Sequence, residues 1–257
     1  MQSETVINNN HQTEKLFGLL LNIGEDMLRN GAEVRRVEET ITLMGKAYGA
    51  RYVDAFVITS SIVVTINLGD NVTFTRTRRI NEPDVTNFTK LEELNNLSRE
   101  YCRGGMSVEE LESEYDKITM KEPDFAKICI GSVIASGTLA VFFGGGLIDG
   151  VIAAIFGFII CLMKKYIAPI CSNTIFFNFI CSLSVGILIC LVGKLAQIPV
   201  DKIMIGDIML LIPGIAMTNS IKDVFVGDTI SGIMRLAESL LWAGAIACGF
   251  MLSFWLI

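Results

Sequence analysis

The residues best equipped for chemistry lie late in the chain, in a half otherwise nearly free of charge. Asp207 stands inside an apolar run, and Pro213-Gly214 follow six residues on. Then come Asn219, Lys222, Asp223, Gly227-Asp228, Gly232, Arg235 and Glu238. An ionisable side chain at the middle of a bilayer costs at least ~2.5–3.5 kcal/mol on insertion scales, so its presence there calls for a reason. Asp207 has two readings: an acid in the first turns of a helix, favoured by the dipole, or a proton or cation site. Proline removes a backbone donor and glycine loosens the turn, so a helix across Pro213-Gly214 should kink or break. Such breaks can present backbone groups to a transported molecule. If the chain is helical from Asp228, Asp228 and Arg235 share a face two turns apart, and Arg235 meets Glu238 at i, i+3. The stretch reads as a substrate vestibule or re-entrant segment, with a plain cytoplasmic loop as the alternative.

Other chemistries lack their parts. The single histidine, His11, lies in a polar stretch, so a Ser-His-Asp or Cys-His arrangement has no base. No His/Cys cluster for zinc and no glycine-rich phosphate loop occurs, and neither metal nor cofactor is expected. The acidic balance argues against a nucleic-acid partner. Six of the seven cysteines lie in or beside apolar runs, where a reduced cysteine packs as a small hydrophobe. On the N-terminal side, Arg35-Arg36-Val37-Glu38-Glu39 offers i, i+3 and i, i+4 ion pairs along a helix. Arg76 and Arg78 share one face of a strand, an ordinary exposed face or an anion contact.

The elements that must position these residues follow from an uneven composition. Up to Lys127 there are 15 Lys+Arg and 21 Asp+Glu; beyond it there are six of each. The second half is therefore too apolar for a water-facing surface. A helix needs about 20 residues to cross ~30 Å of hydrocarbon, and five candidate segments are read: 128–143, 148–163, 175–192, 203–217 and 233–257. Small residues crowd them (Gly131, Ser132, Ala135, Ser136, Gly137, Gly157, Gly186, Ala243, Gly244, Ala245 and Gly249), which favours close helix packing in a bundle or an oligomer. Lys117, Lys121, Lys127, Lys164, Lys165, Lys222 and Arg235 fall on one set of flanks, against Lys194 and Lys202 on the other. That bias places the N-terminal domain in the cytoplasm and, with five spans, the C-terminus outside.

In the first half, Leu16, Leu20, Ile23, Met27 and then Val34, Val37, Ile41, Met44 recur at helical spacing, broken at Asn30-Gly31. A β-branched run over 52–68, a turn at Gly69-Asp70-Asn71 and VTFTRTR read as about three strands. Two amphipathic helices follow, over 91–102 and 108–118. The expectation is a disordered tail over 1–14, a soluble α+β domain over 15–126, and an all-α membrane domain of five helices over 127–257.

Pro213-Gly214, Asn219, Asp223, Gly227-Asp228, Gly232 and Arg235 together resemble the signature of the threonine/serine exporter family. So do Gly31-Ala32 and Arg36-Val37-Glu38, and the order of parts is similar from about Glu14 to Ile257. The resemblance implies an inner-membrane exporter of small polar metabolites, threonine and serine in long members, coupled to the proton-motive force. Long members carry a second hydrophobic module that this sequence lacks. Short members resemble this chain; the resemblance implies a separate small membrane subunit, with a dicarboxylate such as succinate as an alternative cargo. On that reading Asp207, Pro213, Gly214, Asn219, Asp223, Asp228, Arg235 and Glu238 line the pathway, and Arg235 suits a substrate carboxylate. Gly31, Arg36 and Glu38 form the matching motif of the first half. The competing reading is a membrane-tethered cytoplasmic sensor or enzyme.

Overall fold

A computed structural model describes residues 2–69, 73–80, 86–171, 173–198 and 200–257, with side chains from Gln12 onward. Asp70 and Asn71 of the expected turn, and the His11 side chain, lie outside the described residues. The chain divides into two compact units, Met1–Glu122 with Ile215–Leu236, and Pro123–Gly214 with Ala237–Ile257.

The first unit opens with α1 (Gln2–Arg29) and α2 (Val34–Ala47). All eight residues of their helical spacing are 0–1 % exposed, so one apolar stripe on each helix faces a common core. An antiparallel meander follows: β1 (Tyr52–Ile58), β2 (Ser61–Asn67) and β3 (Thr73–Arg79), with β2 in the middle. Val53 pairs with Ile66 and Val57 with Ile62, which puts these four on the face that packs against the helices. Arg78 lies opposite Ile62 and Arg76 opposite Val64, on that same face. From there Arg76 reaches Glu14 (3.2 Å) and Arg78 reaches Asn22 (2.8 Å), tying β3 to α1. The helices α3 (Phe88–Cys102) and α4 (Val108–Met120) complete the core through Leu94, Leu97 and Leu111. Ser107 and Glu110 start α4 with a reciprocal capping box.

The second unit holds α5 (Phe125–Phe142), α6 (Leu147–Tyr166), α7 (Thr174–Ala196), the short α8 (Val200–Ile208) and the later turns of α10 (Thr229–Leu256). Small residues set its close crossings, since without a hydrophobic drive in lipid it is backbone approach that lets helices pack. A Cβ on Gly137 would stand 2.8 Å from the Gly150 carbonyl, and one on Gly157 2.7 Å from the Ser136 Cβ, so α5 and α6 touch backbone to backbone. Between α7 and α10, Gly186 seats the Ser253 and Phe250 side chains, and Gly249 lies against the Phe179 and Leu183 backbone beside Ser182. Gly131 and Gly244 have open space around them and take no part. All seven cysteines are free.

Two expectations about the fold need correction. Among the described residues four helices, not five, are long and apolar enough to cross a membrane: 125–142, 147–170, 174–196 and 229–256. The expected fourth span, 203–217, is two helices, α8 and α9 (Gly214–Val226), separated at residues 209–213. Pro213 has no N–H to continue α8, and α9 carries Asn219, Lys222 and Asp223, which spoil an apolar window. Nine residues of α8 rise only about 14 Å, roughly half of the hydrocarbon thickness. A fourfold count also removes the premise for placing the C-terminus outside. Nor is there a soluble N-terminal domain followed by a separate membrane domain: the first unit is completed by residues 215–236, including the opening of the apolar helix α10.

Gly249→Ala should lower stability by about 1–3 kcal/mol, the usual range for overpacking, because the new methyl meets the Phe179 carbonyl at 2.8 Å and the Leu183 nitrogen at 2.9 Å. Thermal unfolding of the purified protein in detergent measures this; an unshifted midpoint would mean that α7 and α10 do not cross there.

Candidate functional site

In the first unit, α9 closes on the turn between α1 and α2. Helix α1 ends with Gly31 in the left-handed region (φ 98°) and with the Ala32 N–H donating to the Met27 carbonyl at 3.0 Å, a termination that favours glycine. The start of α2 lacks a side-chain cap of its own, since Glu33 at the N-cap position bonds no backbone N–H. Helix α9 supplies what is missing. Asn219 Nδ2 donates to the Gly31 carbonyl at 3.0 Å, Lys222 Nζ meets Glu33 at 2.6 Å, and the Asp223 carboxylate accepts the Val34 N–H. An acid at a helix N-terminus satisfies an orphan donor and complements the dipole.

Helix α9 itself ends at Gly227, which takes φ 105°, and the Asp228 N–H returns to the Asp223 carbonyl at 2.9 Å. The chain then turns back as α10. At Gly232 the two helices touch: a Cβ there would lie 2.7 Å from the Ser220 carbonyl and 2.9 Å from the Val224 nitrogen. This crossing brings Arg235 Nη1 within 3.0 Å of Asp223 Oδ2, with the two residues 3 % and 2 % exposed. Burial pushes the Asp223 carboxyl up, the Arg235 guanidinium opposes it, Asp228 raises it further, and the Val34 N–H draws it down. The predicted (i, i+3) partner of Arg235, Glu238, is exposed instead.

Glu38, one turn into α2, accepts the Val57 N–H at 2.9 Å. It thereby occupies an outward donor of the edge strand β1, which would otherwise stay open. Burial raises its carboxyl above the ordinary value, the Val57 N–H lowers it, and Asp228 raises it again. Arg36 turns away and donates to Asn95 of α3 at 3.1 Å. So Gly31 and Glu38 join Asn219, Asp223, Asp228 and Arg235 in one unit across some two hundred residues of sequence, while Arg36 serves the packing of α3. A groove of about 750 Å³ lined by α3 and α4 contains none of these residues.

The second unit holds Asp207, fully buried. It is the penultimate residue of α8, not a first-turn residue, so the helix dipole disfavours its charge. Ser136 Oγ lies 2.5 Å from Asp207 Oδ1 and 2.8 Å from the Ala153 carbonyl, linking α8, α5 and α6. Lys164 Nζ binds the Leu210 carbonyl at 2.6 Å, just beyond the end of α8. Pro213 and Gly214 mark the break that follows.

The family model of threonine/serine exporters matches residues 18–257. This chain belongs to the threonine/serine exporter family. It is 26 % identical over 250 residues to a Corynebacterium glutamicum protein named threonine/serine exporter, covering 93 % of this chain and 50 % of that protein. It is 23 % identical over 248 residues to a Mycobacterium tuberculosis protein named a probable threonine/serine exporter, covering 94 % and 46 %. The chain thus spans about half the length of these curated relatives. No solved structure matches it. The family is one of transporters, not enzymes, and four apolar helices make the chain a membrane-embedded member.

Sequence reasoning missed the part played by Ser136 and Glu33. Ser136 reads as one more small packing residue, and Glu33 as a charge before a helix; only their distant partners single them out.

Glu38 carries a pH consequence. Its folded carboxyl titrates above its unfolded one, so the stability it contributes is present below the unfolded value and is lost as pH rises through the folded value. Glu38→Gln keeps an oxygen for the Val57 N–H and should flatten that part of the profile of melting midpoint against pH. An unchanged profile would assign the slope to another group.

Proposed function

We propose that this chain is a subunit of a secondary exporter that moves small polar metabolites out of the cell, driven by the proton-motive force. Threonine- or serine-like amino acids are the first cargo to test, and a dicarboxylate such as succinate the second. The N-terminal part of the first unit faces the cytoplasm in this reading, in keeping with Lys117, Lys121, Lys127, Lys164 and Lys165 on flanks that do not depend on the run at 203–217. A second copy, or a separate small membrane subunit, works with this chain in that reading. Asp207, Pro213, Gly214, Asn219, Asp223, Asp228, Arg235 and Glu238 are the polar pathway groups of this reading, with Gly31, Arg36 and Glu38 as the supporting motif.

The observation that carries the reading is the meeting of Asp223 and Arg235 with the α1–α2 turn. A guanidinium paired to a buried carboxylate can exchange that partner for the carboxylate of an amino acid or a dicarboxylate, keeping bidentate geometry. The same pair also supports the fold, so the two roles must be separated by experiment.

Arg235→Ala leaves Asp223 buried without its cation, a loss of about 3–5 kcal/mol, and should lower the amount of protein in the membrane. Arg235→Ala combined with Asp223→Asn removes both charges, leaves an amide oxygen for the Val34 N–H, and should restore the amount. Cells loaded with threonine- or serine-containing dipeptides, or with succinate, then report transport. The double variant is expected to stay in the membrane at wild-type abundance and to export nothing above the empty-vector rate. Wild-type efflux from it would make the pair purely structural.

A further inference from the structure

Ser136 has one hydroxyl proton and two neighbours that, in their ordinary forms, only accept. Its Oγ is 2.8 Å from the Ala153 carbonyl of α6 and 2.5 Å from Asp207 Oδ1 of α8. A hydroxyl donates once. Both contacts are full hydrogen bonds only if the second proton comes from the carboxyl: Asp207 Oδ1–H donates to Ser136 Oγ, and Ser136 Oγ–H donates to Ala153.

Three further observations agree. Asp207 is 0 % exposed, and its Oδ2 has no hydrogen-bond partner, which a carboxylate tolerates far less well than an acid. It stands at the C-terminal end of α8, where the dipole is hostile to an anion. Among the described residues no counter-charge reaches it. Of the elements packed on α8, α5 brings only the Ser136 hydroxyl, its own Lys127 and Cys129 lying at its far start. Helix α6 brings Lys164, committed to the Leu210 carbonyl at 2.6 Å, with Cys161 beside Cys129 and with Asp149 bound to the Gly146 N–H at the other end. Helix α7 brings the Cys181 thiol. On α8 itself Asp201 and Lys202 pair with each other at 3.3 Å, in its opening turn.

We infer that Asp207 is a reversible proton-binding site, and that the Asp207–Ser136–Ala153 chain is a latch that holds α8 against α5 and α6 only while the proton is bound. The seat is tight enough for one proton to matter. A Cβ on Gly206 would stand 2.6 Å from the Ser136 carbonyl, and one on Gly157 2.7 Å from the Ser136 Cβ, so the three backbones meet around this hydroxyl. Proton loss leaves Ser136 one hydrogen for two acceptors and puts an unpaired charge between them. The junction must then open, admitting water or moving the carboxylate toward Lys164. The inference gives the proton of the exporter reading a place, but it stands on the hydrogen-bond count, so it is tested apart from cargo.

Infrared difference spectra of the purified full chain, recorded between acid and alkaline pH, read the proton directly. The wild type should show a protonated-carboxyl carbonyl band that disappears on alkalinisation, is absent in Asp207→Asn, and shifts in Ser136→Ala as its acceptor is removed. The Asn amide can donate to Ser136 in place of the acid, so that variant should fold and lose the pH-dependent opening of α8, read as maleimide labelling of a cysteine placed at Met209. Identical carbonyl bands in wild type and Asp207→Asn, or a band that Ser136→Ala leaves unmoved, overturns the assignment. Loss of cargo efflux in the wild type would refute the exporter reading while leaving the infrared result to decide this one.

Discussion

A carboxylate withdrawn from water keeps its charge only where a cation or N–H donors take the place of the solvent. Asp223 has both, from Arg235 on α10 and from Val34 at the start of α2. That single side chain therefore caps one helix, anchors another and lies on a third. Its neighbours on α9 repeat the pattern one bond at a time, Asn219 on the Gly31 carbonyl and Lys222 on Glu33. The N-terminal unit is stitched shut by residues that follow four-fifths of the chain, which explains why it is not a self-standing domain.

Asp207 meets the same constraint with the opposite solution. Among the described residues it has a hydroxyl but no cation and no N–H donor, at a helix end of the wrong polarity. Burial of such a group is compatible with the neutral acid alone. The two acids thus answer one rule in two ways, and the difference comes from what the neighbouring helices offer. Close backbone approach makes both arrangements possible: Gly232 lets α10 reach α9, while Gly206 and Gly157 let α8 and α6 reach Ser136.

Much of the architecture is legible in residue patterns because burial in each element has its own period. The stripes of α1 and α2 and the three strands follow from spacing, and four of the five apolar runs are long helices. The run at 203–217 misleads because apolar length alone does not make a span. Its proline interrupts the hydrogen-bond ladder, and the helix that starts after it, α9, carries Asn219, Lys222 and Asp223 to the α1–α2 turn of its own unit. The site residues were legible as types, with Gly31, Glu38, Asn219, Asp223 and Arg235 all singled out, but not as a geometry. Helical proximity matches Arg235 to Glu238, whereas the fold offers it the buried Asp223.

By itself, then, the sequence determined a membrane protein with a charged N-terminal half, the break at Pro213-Gly214, and the residues that carry membership of the family. These depend on local chemistry: hydrophobic length, a missing N–H and spaced glycines. Only the tertiary structure decided which charges compensate one another, that α9 belongs with the first unit, and that Ser136 has two acceptors to serve. Those outcomes depend on partners far apart in the chain, and no local pattern records how many protons a distant hydroxyl must share.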